Sequence, residues 1–266
     1  MVEQLYHNPD IYRIYVPLPD NPLKYLNCYV LVSNGETLII DTGFNRPECK
    51  QALFDGLDEL QVDFAHTKLF LTHLHGDHSG LTEELTARGV PVFMNAIDYD
   101  YLCQELASGG WQAMEQIFLS EGFPMEEIEK QKKGNQARLY SPHHPFPASK
   151  VSDNDLLTVG GITLRCIHTP GHTPGHTCLY IEDKEILFSG DHILFDITPN
   201  ISVWRNIPYS LADYLESLQK IKGWKVSHTK ETAENRYRAL CHSSDLFFYS
   251  RRFSDDDFCE HVTHYA

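Results

Sequence analysis

Residues 68–80 read KLFLTHLHGDHSG: a short apolar run, Lys68 to Thr72, followed at once by His73, His75, Asp77 and His78. The run suits a buried strand, and the four side chains after it are all metal-ligand types. In an extended segment residues two apart project to the same side, so His73 and His75 can meet one ion. Asp77 and His78 enter the turn that follows and can face another. Gly76 and Gly80 let the backbone turn tightly. The bland reading is a solvated His-rich loop, or a capping Asp beside helix-start histidines, but packing alone does not explain four adjacent ligands.

Working outward, residues 11–16 (IYRIYV), 28–33 (CYVLVS) and 37–40 (TLII) are β-branched and aromatic runs, and Asn34-Gly35 is a hairpin signal. Leu53, Leu57 and Leu60 recur at helical spacing over 47–60. A short helix over 79–88 and a strand over 90–94 complete an α/β rhythm. The stretch 98–133 has helical spacing without strand pattern, and a loop with Pro142, Pro145 and Pro147 follows it, so about 98–147 reads as a helical insertion. Strands resume as LLTV, ITLRCIH, TCLYIED and KEILFSGD, with turns at Gly160-Gly161 and Asp183-Lys184. Residues 208–222 form an amphipathic helix with Ser210 as its expected N-cap. No repeat or low-complexity linker interrupts the chain, so residues 1–266 are expected to be one domain with an atypical tail at about 229–266.

The composition narrows the chemistry. With 42% apolar and 22% charged residues over 266 positions, the chain can build a proper core. A formal charge of −15 repels phosphate backbones and anionic membrane faces, so neither nucleic acid nor membrane is an expected partner. No apolar run approaches the roughly 20 residues of a membrane span, and MVEQLYHNPD lacks the order of a secretory signal. The expected location is cytoplasmic. The seven Cys are scattered without a CxxC pair and read as buried thiols of a reducing compartment.

Two further clusters sit where strands end. His168-Thr169-Pro170-Gly171-His172-Thr173-Pro174-Gly175-His176 follows ITLRCI, and Ser189-Gly190-Asp191-His192 follows EILF. Strand C-termini are where the ligands of layered α/β sheets gather. Alone, His172 suits a turn and Asp191 a helix cap; beside the first cluster both read as metal ligands. On the HxHxDH row at His73, His75, Asp77 and His78, the TPGHT at His172 and the SGD at Asp191, the chain resembles the metallo-β-lactamase-fold hydrolase superfamily, with its glyoxalase II-like and lactonase-like members. The match runs over about residues 11–222, and Leu38 to Gly43 resembles the family's early strand ending in an Asp.

That resemblance implies an α/β (α+β) fold, a four-layer αββα sandwich, with two divalent ions where its halves meet. His73, His75 and His172 would hold the first ion, Asp77 and His78 the second, and Asp191 would bridge them. The family's last His, from a PGH or AHR loop, has no match here; His228 in WKVSHT is the nearest candidate and His242 in ALCHSSD the next. Two ions about 3.5 to 4 Å apart lower the pKa of a shared water toward 7 and polarise a carbonyl. The cofactors expected are two Zn2+, with Mn2+ or Fe as alternatives, and Asp77 or Asp191 is expected to carry the proton to the leaving group. Asp41 is expected to orient a ligand His, and His176 to lie beside the site. Tyr209, with Trp204 and Asn206, either lines the substrate or packs the surface.

The implied activity is metal-dependent hydrolysis, through a metal-bound hydroxide, of a small-molecule thioester, lactone or related ester or amide. The insertion would cover the cleft as a lid. The rival is an iron-dependent oxidoreductase on the same fold, persulfide dioxygenase-like. Gly76 stands where the oxygen-reducing diiron branch places an acid, which counts against that branch alone. A homo-oligomer is compatible with the size and charge.

Overall fold

The computed structural model describes residues 2–108, 111–195 and 197–231. Seven strands form the first sheet: β1 (Val2–Tyr6), β2 (Asp10–Pro17), β3 (Tyr25–Ser33), β4 (Glu36–Ile40), β5 (Thr67–Leu71), β6 (Val92–Asn95) and β7 (Ala148–Val151), in that spatial order. Pairing is antiparallel from β1 to β4 and parallel from β4 to β7. The second sheet holds β8 (Leu156–Val159), β9 (Ile162–His168), β10 (Thr177–Ile181), β11 (Ile186–Gly190) and β12 (His228–Glu231), antiparallel except for the parallel β11–β12 pair. Eight helices are described: α1 (Pro47–Glu59), α2 (Gly76–Ser79), α3 (Thr82–Thr86), α4 (Ala96–Ser108), α5 (Trp111–Ser120), α6 (Met125–Gly134), α7 (Gln136–Leu139) and α8 (Ser210–Lys222).

The layering follows from the strand period of two. In β3 and β4, Tyr29, Leu31, Leu38 and Ile40 pack into one core, while Cys28, Val30 and Ile39 pack into another with Leu53 and Leu57 of α1. The first of these cores is shared with Leu164, Cys166, Leu179, Ile181 and Phe188 of the second sheet. The opposite face of that sheet, Ile167, Cys178, Tyr180 and Leu187, packs with Ile221 of α8. Three cores therefore separate four layers, helix, sheet, sheet, helix, and both sheets are apolar on both faces.

Asp41, His73, His172 and Asp191 all lie just past the ends of β4, β5, β9 and β11, along one edge of the sandwich. The helix expected over 79–88 is divided at Gly80, where an added Cβ would stand 2.5–2.6 Å from the backbones of Gly43, Asn45 and Tyr140. Its first part starts early, so Asp77 and His78 ride on α2. Tyr209 takes the N-cap position of α8, and Ser210 is the first helical residue. β1 and β7 were not expected from the sequence; each is an edge strand, β1 with mostly half-buried side chains and β7 with Ser149 and Lys150 exposed. Among the described residues no helix is long and apolar enough to cross a membrane.

Candidate metal centre

The first sheet delivers its candidate ligands through a hydrogen-bonded scaffold around Asp41. This residue follows β4 with a left-handed φ of 61°, a conformation that Asp adopts more readily than most residues. Its Oδ1 accepts the Thr72 N–H at 2.8 Å, and its Oδ2 accepts the Thr72 hydroxyl at 2.8 Å and the His78 Nδ1–H at 2.9 Å. With its proton given to Asp41, the Thr72 hydroxyl accepts the His73 Nδ1–H at 3.0 Å. One buried carboxylate thus takes up the Nδ1–H of His78 directly and that of His73 through Thr72, and turns the Nε2 of both rings toward the site. Thr42 holds the same loop from below, accepting the Leu81 N–H and donating to the His78 carbonyl.

The second sheet supplies His172 and Asp191. The His172 Nδ1–H donates to the Asn200 carbonyl at 2.7 Å, which again frees Nε2. His176 accepts the Asp191 N–H at Nε2 and donates its Nδ1–H to the Thr169 hydroxyl, so both its nitrogens are used and it positions Asp191 without being a ligand itself. Gly190 permits that contact: its φ is 52°, and a Cβ there would stand 2.6 Å from the His176 Nε2.

The donor atoms converge in two groups. His73 Nε2 lies 3.1 Å from His75 Nδ1 and 3.3 Å from His172 Nε2. His78 Nε2 lies 3.5 Å from Asp191 Oδ1 and 3.8 Å from Asp77 Oδ2. Asp191 Oδ2 faces the other way, 3.5 Å from His172 Nε2. Among the described residues, the donor atoms of His73, His75 and His172, and of His73, His78 and Asp191, lie within 4.8 Å of one another.

The electrostatics suit cations. Burial and neighbouring imidazoles hold His73 and His75 well below the usual histidine range, so both offer neutral lone pairs. Burial would lower His78 too, but the carboxylates of Asp191, Asp41 and Asp77 outweigh it and hold the ring well above that range. Asp77 is pushed up by burial and by Asp191, against the pull of His78. An all-nitrogen trio beside a nitrogen and two carboxylates, with outer ring N–H groups satisfied on His73, His78 and His172, fits divalent ions of the zinc type.

His228 is not part of this cluster. β12 runs parallel to β11 with His228 opposite Ile186 and Glu231 opposite Gly190, so His228 stands at the start of the pair, four residues from the end that carries Asp191. Its ring packs edge-on against Tyr6 instead. At about 3.3 Å per residue the separation is on the order of 13 Å. His242 lies outside the described residues, as does the tail from 232 on. Tyr209 is 71% exposed at the start of α8, outside the ligands' polar network. Trp204, by contrast, stacks on His75 with centroids 6.0 Å apart and donates its Nε1–H to the His172 carbonyl at 3.2 Å. Tyr101 of α4 packs against Trp204 and donates to the Arg205 carbonyl, so the insertion borders the ligands on this side.

One residue at the site went unread in the sequence. Asp98, fully buried in the first turn of α4, accepts the Leu74 N–H at 3.0 Å, the Thr173 hydroxyl at 2.6 Å and the Gly175 N–H at 2.5 Å. Burial pushes its carboxyl up to about 7 against these donors.

Comparison with known proteins agrees with this arrangement. Residues 22–227 match the family model of the metallo-beta-lactamase superfamily. An atrochrysone carboxyl ACP thioesterase of Emericella nidulans is 28% identical over 220 residues, 83% of this chain and 53% of the relative. An uncharacterized Aquifex aeolicus protein is 29% identical over 177 residues, 65% of this chain and 68% of its own. The chain spans about half the length of several of the curated relatives it matches. Among solved structures, a metallo-beta-lactamase family protein from Thermus thermophilus superposes with a TM-score of 0.76 at 28% identity, covering 91% of this chain and 80% of that one. A beta-lactamase domain protein from Burkholderia ambifaria gives 0.71 at 22% identity, over 94% and 76%. Sequence, layering and the ligand row at one edge of the sandwich agree: the chain belongs to the metallo-beta-lactamase superfamily.

Proposed function

We propose that this protein is a dinuclear metallo-hydrolase, zinc-dependent, acting on a small-molecule thioester, with a lactone or related ester or amide as the neighbouring substrate class. The observation that carries the reading is Asp191, whose two oxygens face the two donor groups separately, Oδ1 toward His78 and Oδ2 toward His172. His73, His75 and His172 would hold one ion, Asp77 and His78 the other, with Asp191 shared between them. Divalent cations bound there supply Lewis acidity toward a carbonyl oxygen and acidify water near neutral pH.

The chain's own residues provide the rest. Asp41 and Asn200 accept the outer ring N–H groups of His73, His78 and His172, directly or through Thr72, and burial keeps His73 and His75 neutral. Hydrolysis adds water across the acyl C–S bond: the hydroxyl goes to the acyl carbon, one proton to the leaving sulfur and the other to solvent, giving carboxylate and thiol. Asp77 or Asp191, the carboxylates nearest the His78 Nε2, is the proton carrier in this proposal. Trp204 forms an apolar wall against His75. The thioester preference draws support from the relatives named as acyl carrier protein thioesterases. Work in the cytoplasm belongs to the same proposal, supported by the free, buried thiols of Cys28, Cys49, Cys166 and Cys178.

The test is elemental analysis of protein purified without chelator, joined to a thioester and lactone panel. About two Zn2+ per chain, with thiol release abolished in His73→Ala and Asp191→Ala, is the expected result. Unaltered turnover in either variant would sink the dinuclear reading, and one iron per chain in a coloured protein would transfer it to the oxidoreductase class.

A further inference from the structure

Asp98 is placed by the junction of β6 and α4, far in sequence from every ligand. Its three hydrogen-bond donors nevertheless all come from the ligand loops. Leu74 lies between His73 and His75 on the first sheet's loop, while Thr173 directly follows His172 and Gly175 stands two residues further on, along the second sheet's loop. All three are neutral groups, and the carboxylate is fully buried. A buried carboxylate held only by neutral donors is costly, so it needs every one of its hydrogen bonds.

The surroundings are built for this clasp. Gly175 approaches so closely that a Cβ there would stand 2.5 Å from the Asp98 backbone nitrogen and 2.8 Å from its Oδ1. Asn95, three residues earlier, donates to the Thr177 hydroxyl at 3.0 Å, and the Thr177 N–H donates to the Thr72 carbonyl at 2.9 Å. The same junction therefore fastens the second-sheet loop at two points, beside the ligands and just after them.

We propose that Asp98 is a positioning residue for the three-histidine half of the metal centre: it ties the His73–His75 loop of one sheet to the His172 loop of the other and so sets the spacing of the three imidazoles. Asp41 orders the ligands of a single loop, whereas Asp98 spans the two sheets. Removing its carboxylate leaves His73 and His75 in register with each other and lets His172 drift from them. The inference rests on the metal-binding part of the proposed function and on nothing about the substrate.

The test uses the full chain, stripped of metal and titrated with Zn2+ against a chromophoric chelator, and with Co2+ by visible absorption. Asp98→Asn, which places an amide where the donors expect an acceptor, is expected to weaken Zn2+ binding about 10- to 100-fold and to alter the Co2+ ligand-field bands. Thr173→Val should show the same change to a smaller extent, and Thr173→Ser should restore wild-type behaviour. Circular dichroism and a cooperative melt establish that each variant is folded, and Thr173→Val carries the test if Asp98→Asn does not fold. Wild-type affinity and an unchanged Co2+ spectrum in a folded Asp98→Asn or Thr173→Val would overturn the assignment. A wild-type chain that binds neither ion would instead overturn the metal-centre reading itself.

Discussion

Replacing Asp41 by Asn separates the charge of this carboxylate from its shape and backbone. Asn tolerates the left-handed φ of 61° at this position, so little of the effect comes from the main chain. If the amide oxygen replaces Oδ2, it still accepts from Thr72 Oγ1 and the His78 Nδ1, but the amide nitrogen then faces the Thr72 N–H. The opposite orientation abandons two donors. The better case leaves one buried N–H unsatisfied, a loss of about 1–3 kcal/mol, which lowers the melting temperature by about 2–4 °C per kcal/mol in a chain of this size. His78 also loses the anionic partner of its Nδ1–H, and metal affinity should fall about 10- to 100-fold. Asp41→Ala abandons all three donors and adds about 1–2 kcal/mol of left-handed strain, so it should be the weaker protein on both measures. Melts are compared on metal-stripped chains, because a ligand bound only to the native state raises the apparent stability. An Asp41→Asn chain that melts and binds Zn2+ like the wild type would refute the scaffold argument. So would an Asp41→Ala chain more stable than Asp41→Asn.

Other outcomes follow from single contacts. Gly190→Ala forces a Cβ to within 2.6 Å of the His176 Nε2 at a φ of 52°; it should cost at least about 1 kcal/mol and loosen Asp191, measured as a lower melt and faster metal loss on dialysis, and a wild-type melt would contradict it. Burial pushes Cys49 up to about 11 and Cys166 and Cys178 up to about 12. These three should resist iodoacetamide in the native chain at pH 8 and react only after unfolding; peptide mapping that finds any of them alkylated beforehand would contradict their burial. Trp204→Ala removes the ring stacked on His75, and should raise KM for long-chain thioesters more than for acetyl thioesters, with Trp204→Phe in between. An equal effect at every chain length would remove Trp204 from the substrate wall.

What could be read from the sequence was what lies contiguous in it. His73 to His78, His172 and Asp191 each follow an apolar strand directly, so their residue types and their position at strand ends carried the signal. The helix over 47–60 and the strands 156–159 and 162–168 were legible because apolar period and turn residues agreed there. Asp98 was not, because its partners Leu74 and Thr173 are 24 and 75 residues away and an Asp in the first turn of a helix resembles an ordinary dipole-stabilising acid. His228 went wrong for a related reason. The parallel register of β12 on β11 decides which end of the strand meets Asp191, and no local pattern encodes that register. The edge strands β1 and β7 lack the alternation that marks a half-buried strand, being partnered on one side only.

If the proposed metal centre binds its ions, the division of candidate ligands between the two sheets would make it a proofreading device for assembly. Neither half of the chain holds all of the three-histidine group: His73 and His75 come from one sheet's loop, and His172 arrives from the other about a hundred residues later. A collapsed intermediate with both sheets formed but docked one register apart would have helices, strands and a buried core, and yet no place for an ion. Metal capture would thus reward only the correctly mated sandwich, and its binding free energy would become folding free energy. In a metal-starved cell the same chain would lose that discrimination, and its steady-state level would track ion supply even with synthesis unchanged.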